Sequence, residues 1–140
     1  MRRISIAVIA LAGLLVAAPA VAGGRPLSAD LAASNEVPGG DGDATGSAHV
    51  TLNQGQGEVC FHITTDGLST PAVAAHIHKA PAGVNGPVVV DFQWATTGGM
   101  GCVDADADLI KEIRQNPSEY YVNVHNPTVP SGAVRGQLSG

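Results

Sequence analysis

Short stretches in which apolar and polar residues alternate recur along most of the chain, separated by glycine and proline. The clearest are 48–52, with the sequence AHVTL, and 59–64, with the sequence VCFHIT. Alternation with a period of two is typical of a strand that buries one face. The connection over 53–57 contains two glycines, which permit the positive φ angles of tight turns. These segments therefore predict a β-hairpin.

Four further segments have the same β character, at 73–78, 87–92, 120–125 and 133–138. With the hairpin they make at least six short strands joined by loops, which is the pattern of a β-sandwich. The sequence therefore predicts an all-β fold of one domain.

One segment has a helical period instead. Over 104–115, the residues Leu109, Ile110 and Ile113 fall on one face of a helix, acidic residues stand at its start, and Pro117 follows its end. We expect a short helix that covers one end of the sandwich.

The first 22 residues have the pattern of a secretory signal peptide. Two arginines precede an apolar run over 4–18, and the small-residue motif AVA follows at 20–22. Cleavage after Ala22 divides the chain into a signal peptide, 1–22, and one domain, 23–140. The apolar run is shorter than the about 20 residues that span a membrane, and a retained anchor is the alternative. The mature domain is therefore expected to be secreted or periplasmic, without a membrane span.

The charge and the cysteines narrow the possible functions. The chain carries a net charge of −5, and removal of the two arginines of the signal peptide brings it near −7. Such an acidic protein is not expected to bind nucleic acid or anionic membranes. In an oxidising compartment Cys60 and Cys102 are expected to form a disulfide. The alternative, thiolate metal ligands or a redox pair, lacks C-x-x-C spacing.

The five histidines are the main candidates for chemistry. In the segment AHIH, His76 and His78 lie two residues apart and so share one face of a strand, while Ile77 points into the core. In the segment YVNVH, Val122 and Val124 take the core face, which leaves His125 on the other. If the two strands are neighbours, three imidazoles form a metal site with an open position; otherwise they are polar surface. Imidazole suits copper, zinc, iron and nickel.

Other candidate sites are weaker. His49 and His62 are expected to lie opposite each other on the outer face of the hairpin, as a second metal site or as a solvated pair. The acidic residues Asp41 and Asp43, in a glycine-rich loop, are expected to be solvated rather than calcium ligands. No nucleophilic serine motif, phosphate-binding loop or carboxylate pair is apparent, so catalysis would rest on a metal.

Several longer motifs resemble the CHRD domain, a family named after chordin and widespread in exported bacterial proteins. The resemblance covers about residues 27–138. Its motifs are LS at 27–28, NEVP at 35–38, AHIH at 75–78, AGVNGPVV at 82–89, NP at 116–117, YYVNVH at 120–125 and GAVRGQL at 132–138. Because the domain occurs in a signalling antagonist, this resemblance implies a non-catalytic extracellular module that recognises a protein or polysaccharide, with the loop over 79–86 as the recognition surface. An inert structural envelope protein is a third alternative.

The order of the histidine-bearing strands also resembles the copper-zinc superoxide dismutases, whose β-sandwich is a Greek key. That resemblance implies copper at His76, His78 and His125, with zinc as the alternative, and redox activity towards superoxide or a similar small oxidant if the protein is an enzyme. No histidine lies between His78 and His125, so the bridging ligand and zinc loop of that family have no counterpart. The hypothesis is therefore copper binding first and catalysis second.

Overall fold

The computed structural model describes residues 23–140, and the predicted signal peptide lies outside the described residues. The strands are β1 (Arg25–Ala32), β2 (Thr45–Asn53), β3 (Glu58–Asp66), β4 (Ala74–Lys79), β5 (Val88–Asp91), β6 (Met100–Asp104), β7 (Tyr120–His125) and β8 (Val134–Gln137). The helices are α1 (Trp94–Thr97) and α2 (Ala107–Gln115), and short 3-10 turns lie at Ala33–Asn35 and Pro117–Glu119.

All eight strands belong to one antiparallel sheet, in the order β5-β4-β7-β8-β1-β2-β3-β6. Strands β1 to β3 are consecutive neighbours. The chain then crosses to the other end of the sheet for β4 and β5, returns for β6 at the opposite edge, and crosses again through α2 to β7 and β8. Each half of the sheet is therefore assembled from segments that are distant in sequence.

The sheet is curled, nearly into a barrel, so that the inner faces of its two halves pack against each other. Phe61 in β3 meets Phe92, which directly follows β5, with ring centroids 4.2 Å apart. Ile77 in β4 and Val122 in β7 are fully buried in the same core. The predicted all-β fold is confirmed, and its two packed layers are formed by one continuous sheet.

The hairpin is confirmed, with β2 and β3 in continuous register from Thr45 opposite Asp66 to Asn53 opposite Glu58. Gly57 in its turn has a φ of 67°, which glycine adopts without strain. The sequence analysis did not predict β1 and β6. In β1, leucine and alanine alternate with polar residues, and these apolar residues are buried. Strand β6 has no such alternation, because it is a short edge strand in which only Val103 is buried.

The predicted helix is confirmed as α2, although it begins at Ala107 rather than at residue 104, the last residue of β6. Its start is set by the Asp106 side chain, which accepts hydrogen bonds from the backbone N–H groups of Asp108 and Leu109. Ile110 and Ile113 are fully buried, as the helical face predicted. Within 23–140 no helix is long and apolar enough to cross a membrane.

The predicted disulfide is also confirmed. Cys60 and Cys102 lie directly opposite each other on β3 and β6 and are bonded. The bond therefore ties the edge strand β6 to its single neighbour in the sheet.

The expectation that Asp41 is solvated is wrong. This residue is 7% exposed, and its carboxylate accepts hydrogen bonds from the backbone N–H and hydroxyl of Ser69 and from the amide of Asn126. The bond from the Ser69 backbone is the main cause that lowers the pKa of Asp41. Its role is structural, because it joins three loops. Asp43, by contrast, is exposed as expected.

Candidate metal centre

The three histidines predicted to form a site are brought together by the pairing of β4 with β7. Ile77 lies opposite Val122 on the core side of these strands, which directs His76 and His78 to the other side. His125, at the end of β7, lies on that same side. One ring nitrogen of each histidine lies within 4.8 Å of the others.

One nitrogen–nitrogen distance in the cluster is close to the spacing of ligands around a metal ion. His76 Nδ1 lies 3.0 Å from His125 Nε2, and the ring centroids of His76 and His78 are 5.6 Å apart. In a tetrahedral site with bonds of 2.0–2.1 Å, neighbouring ligand nitrogens are about 3.3 Å apart. The 3.0 Å contact is close to this spacing, and the nitrogens of all three rings lie within 4.8 Å of one another.

Backbone carbonyls fix the orientation of two rings. The Nδ1 of His78 lies 2.9 Å from the carbonyl oxygen of Gly86, and the Nδ1 of His125 lies 3.0 Å from that of Pro130. A carbonyl only accepts, so each Nδ1 carries the proton and donates it. Each Nε2 is then left with its lone pair directed into the cluster. In metal-binding histidines, the ring nitrogen that faces away from the metal typically has such a partner. This nitrogen is called the outer nitrogen below.

The third ring has a carboxylate near its outer nitrogen, at a distance too long for a hydrogen bond. His76 Nε2 lies 3.9 Å from Asp91 Oδ1, on the neighbouring strand β5. Because His125 Nε2 offers a lone pair to this contact, His76 Nδ1 carries the proton and donates it to His125. His76 would present an Nδ1 lone pair to an ion with its proton moved to Nε2, on the side of Asp91. Among residues 23–140, the buried Nε2 of His78 has no hydrogen-bond partner. A metal ion would satisfy this atom.

Burial favours the neutral form of all three rings. It is the main cause that lowers the pKa of His76, His78 and His125 below the usual value of 6.5, and the hydrogen bonds from the rings of His78 and His125 to backbone carbonyls oppose it. Neutral imidazole is the form that binds metals. At neutral pH the three rings are therefore expected to be in the form that is able to bind an ion.

An aromatic stack adjoins the site. The ring of Tyr121 lies parallel to that of His78, with centroids 4.9 Å apart, and the guanidinium of Arg135 lies 4.6 Å from the centroid of Tyr121. The sequence analysis gave Tyr121 and Arg135 no role. Both are 2% exposed, because loops cover this side of the sheet.

A buried polar group lies beside the stack. Glu36, 7% exposed, accepts a hydrogen bond from the amide of Asn123, which stands two residues before His125. Burial raises the pKa of Glu36 to about 7, although the nearby Arg135 opposes this rise. No sequence pattern linked Glu36 to this strand.

The weaker candidates, His49 and His62, are directly opposite each other on β2 and β3, as expected, and both are exposed. They lie in the other half of the sheet from the three-histidine cluster. The structure therefore keeps the two groups of histidines separate.

Comparisons with known proteins identify the family. A model of the CHRD domain matches residues 27–138. Neither the curated proteins nor the solved structures contain a significant match.

Proposed function

Because this chain belongs to the CHRD domain family, we propose that it works outside the cytoplasm as a metal-binding domain, with copper as the ion and zinc as the alternative. The ligands in this proposal are His76, His78 and His125. The proposal extends to redox activity towards superoxide or a similar small oxidant.

The observation that carries the proposal is the arrangement around the outer nitrogens. Two rings have a hydrogen-bond acceptor on the side away from the cluster, Gly86 O for His78 and Pro130 O for His125, and Asp91 lies 3.9 Å from the outer nitrogen of His76. Two lone pairs are thereby directed into the cluster, and a third would join them with the His76 proton on Nε2. A polar surface patch needs no such arrangement, whereas metal sites commonly have it.

Two further observations favour copper. The disulfide between Cys60 and Cys102 is typical of an oxidising compartment, which agrees with the predicted export of the domain. Among divalent first-row metals, copper(II) binds most tightly to a given set of nitrogen ligands. The cluster is only half-buried, so a bound ion would keep a position open for a small oxidant.

Metal analysis of the untagged protein tests this proposal. We expect one copper(II) ion per chain, and nitrogen hyperfine splitting in its electron paramagnetic resonance spectrum. His76→Gln and His125→Gln should each reduce copper(II) affinity sharply, because only two of the three ligands remain. The control is Lys111→Gln, which changes an exposed residue outside the cluster. Equal affinity in all four proteins would contradict the proposal.

A second candidate function, recognition of an extracellular protein or polysaccharide, is favoured by exposed apolar residues. Val84 in the loop after β4 is 48% exposed and Val37 is 37% exposed, and Asn85 joins the two segments by donating to the Val37 carbonyl. A cavity of about 470 Å³ lies between these segments. Binding to envelope polysaccharide that Val84→Asp abolishes, and His125→Gln does not, would favour this function.

A further inference from the structure

A second group of metal-binding side chains lies on the outer face of the other half of the sheet. His49 in β2 is directly opposite His62 in β3, and His62 is directly opposite Met100 in β6. The three residues form one row across three neighbouring strands. They line a groove of about 390 Å³, together with Thr51 and the disulfide between Cys60 and Cys102.

These side chains are free to change conformation. All three residues are exposed, Met100 by 66%. Among residues 23–140 neither imidazole forms a hydrogen bond or an ion pair. Neighbouring strands are about 4.8 Å apart, so the row spans about 10 Å, and the outer two side chains can turn towards the ring of His62 between them.

The chemistry of the donors indicates the class of ion. A thioether is a soft ligand that prefers copper(I), and imidazole also binds this ion. Both cysteines are bonded to each other, which leaves Met100 as the sulfur donor of the groove. Met100 is exposed on the edge strand β6, directly opposite His62. Packing in the core therefore does not explain a methionine at this position.

We propose that His49, His62 and Met100 form a second metal site, selective for a soft monovalent ion such as copper(I). It is distinct from the three-histidine cluster, which has only nitrogen donors. The two sites share no residue and lie in different halves of the sheet. The second site therefore does not depend on the function proposed above.

Titration with silver(I) tests this site, because silver(I) is a redox-inert analogue of copper(I) and needs no reductant that would break the disulfide. The protein, labelled with ¹³C at its methionine methyl groups, is used in the His125→Gln background, which disables the first site. We expect the Met100 methyl resonance to shift and saturate at one equivalent. Met100→Leu keeps the size of the side chain and should weaken silver(I) binding at least about tenfold. Loss of a group that only orients a metal ligand can already have an effect of this size.

The matched control is Thr51→Ala, which alters the same groove without removing a soft donor. Its silver(I) affinity should equal that of the His125→Gln background. His62→Gln should weaken binding as Met100→Leu does. An unchanged affinity in Met100→Leu, or an unshifted Met100 methyl resonance at saturation, would overturn the proposal, whatever the copper(II) content of the first site.

Discussion

At His76, the ring nitrogen that faces away from His125 lies 3.9 Å from Asp91, whose side chain is 65% exposed. Asp91 also accepts a hydrogen bond from the backbone of Gln93, which holds its carboxylate in place. In the metal-bound form this carboxylate would stabilise the proton on His76 Nε2. It would thereby keep the Nδ1 lone pair directed to the ion.

We therefore predict that Asp91→Asn weakens copper(II) binding about tenfold without changing the stoichiometry, as is usual for a partner on the outer nitrogen of a ligand. Isothermal titration calorimetry measures both quantities. The control is Asp43→Asn, which removes the same charge from an exposed loop. If both variants weaken binding equally, net charge rather than the orientation of His76 is responsible.

Glu36 gives a prediction for pH dependence. The pKa of this buried carboxyl is about 7 in the folded protein, against 4.5 for an ordinary Glu. Between these values the folded protein retains a proton that the unfolded chain loses, so this group makes stability fall as the pH rises through that window. Above the pKa of the folded protein, Glu36 is ionised in both the folded and the unfolded chain, and its cost to stability stays constant. Arg135 is the charged group that faces Glu36 and limits the penalty.

We predict that Glu36→Gln is more stable than the wild type at about pH 8, by up to about 3 kcal/mol, and that the difference vanishes at about pH 4. Gln retains an acceptor for Asn123. Urea unfolding across this range gives the two free energies, and the titration of the histidines cancels in their difference. Glu119→Gln, at an exposed position, should show no such difference. Parallel curves for wild type and Glu36→Gln would contradict this account.

At the scale of elements, β4 and β7 are central because one strand pair supplies all three histidines of the proposed site. Their core faces hold Ile77 and Val122 without exposed surface, so the outer faces have little freedom to shift. The two strands are separated by 40 residues or more in the sequence, and α2 is part of the connection between them. The helix therefore lies on the return of the chain to β7.

The start of this helix provides a prediction. Asp106 accepts hydrogen bonds from two backbone N–H groups of the first turn, at 2.9 and 3.0 Å. Asp106→Ala should lower the free energy of unfolding by about 1 kcal/mol, because these groups lose their cap. Urea denaturation measures the change. Asp104→Ala, an exposed acidic residue outside the helix, is expected to have less effect; an equal loss would attribute the change to charge.

For the whole molecule, the disulfide closes the part of the chain that crosses between the two halves of the sheet. Cys60 and Cys102 are 42 residues apart, and β4 and β5 lie between them. Closing a loop of this length reduces the freedom of the unfolded chain, which in the chain-entropy view stabilises the fold by about 4 kcal/mol.

We predict that the double variant Cys60→Ala, Cys102→Ala loses most of this stability, with a much lower urea midpoint. If this variant does not fold, the wild type is compared with and without a reductant. Reduction should shift the midpoint in the same direction. Because the bond lies in the other half of the sheet from the three histidines, the copper(II) affinity of the molecules that remain folded should be unchanged. An unchanged midpoint after full reduction would contradict the stabilising role.

By itself, the sequence determined the features that depend on local periodicity. The alternation around Ile77 and Val122 predicted which face each strand buries, and therefore that His76, His78 and His125 share the opposite face. The pattern over 104–115 predicted the helix. Two cysteines in a domain predicted to be exported indicated the disulfide. The residues behind the strand and helix predictions are close in sequence, and two cysteines allow one pairing.

The tertiary structure decided which strands are neighbours and what covers their outer side. Glu36 and Asn123 are 87 residues apart, and Gly86 and Pro130 reach the histidines from two loops. Strand β6, with one buried residue, is held at an edge by its pairing with β3. Contacts of this kind arise from the curling of the whole sheet, since no local pattern records which loop will lie over which strand.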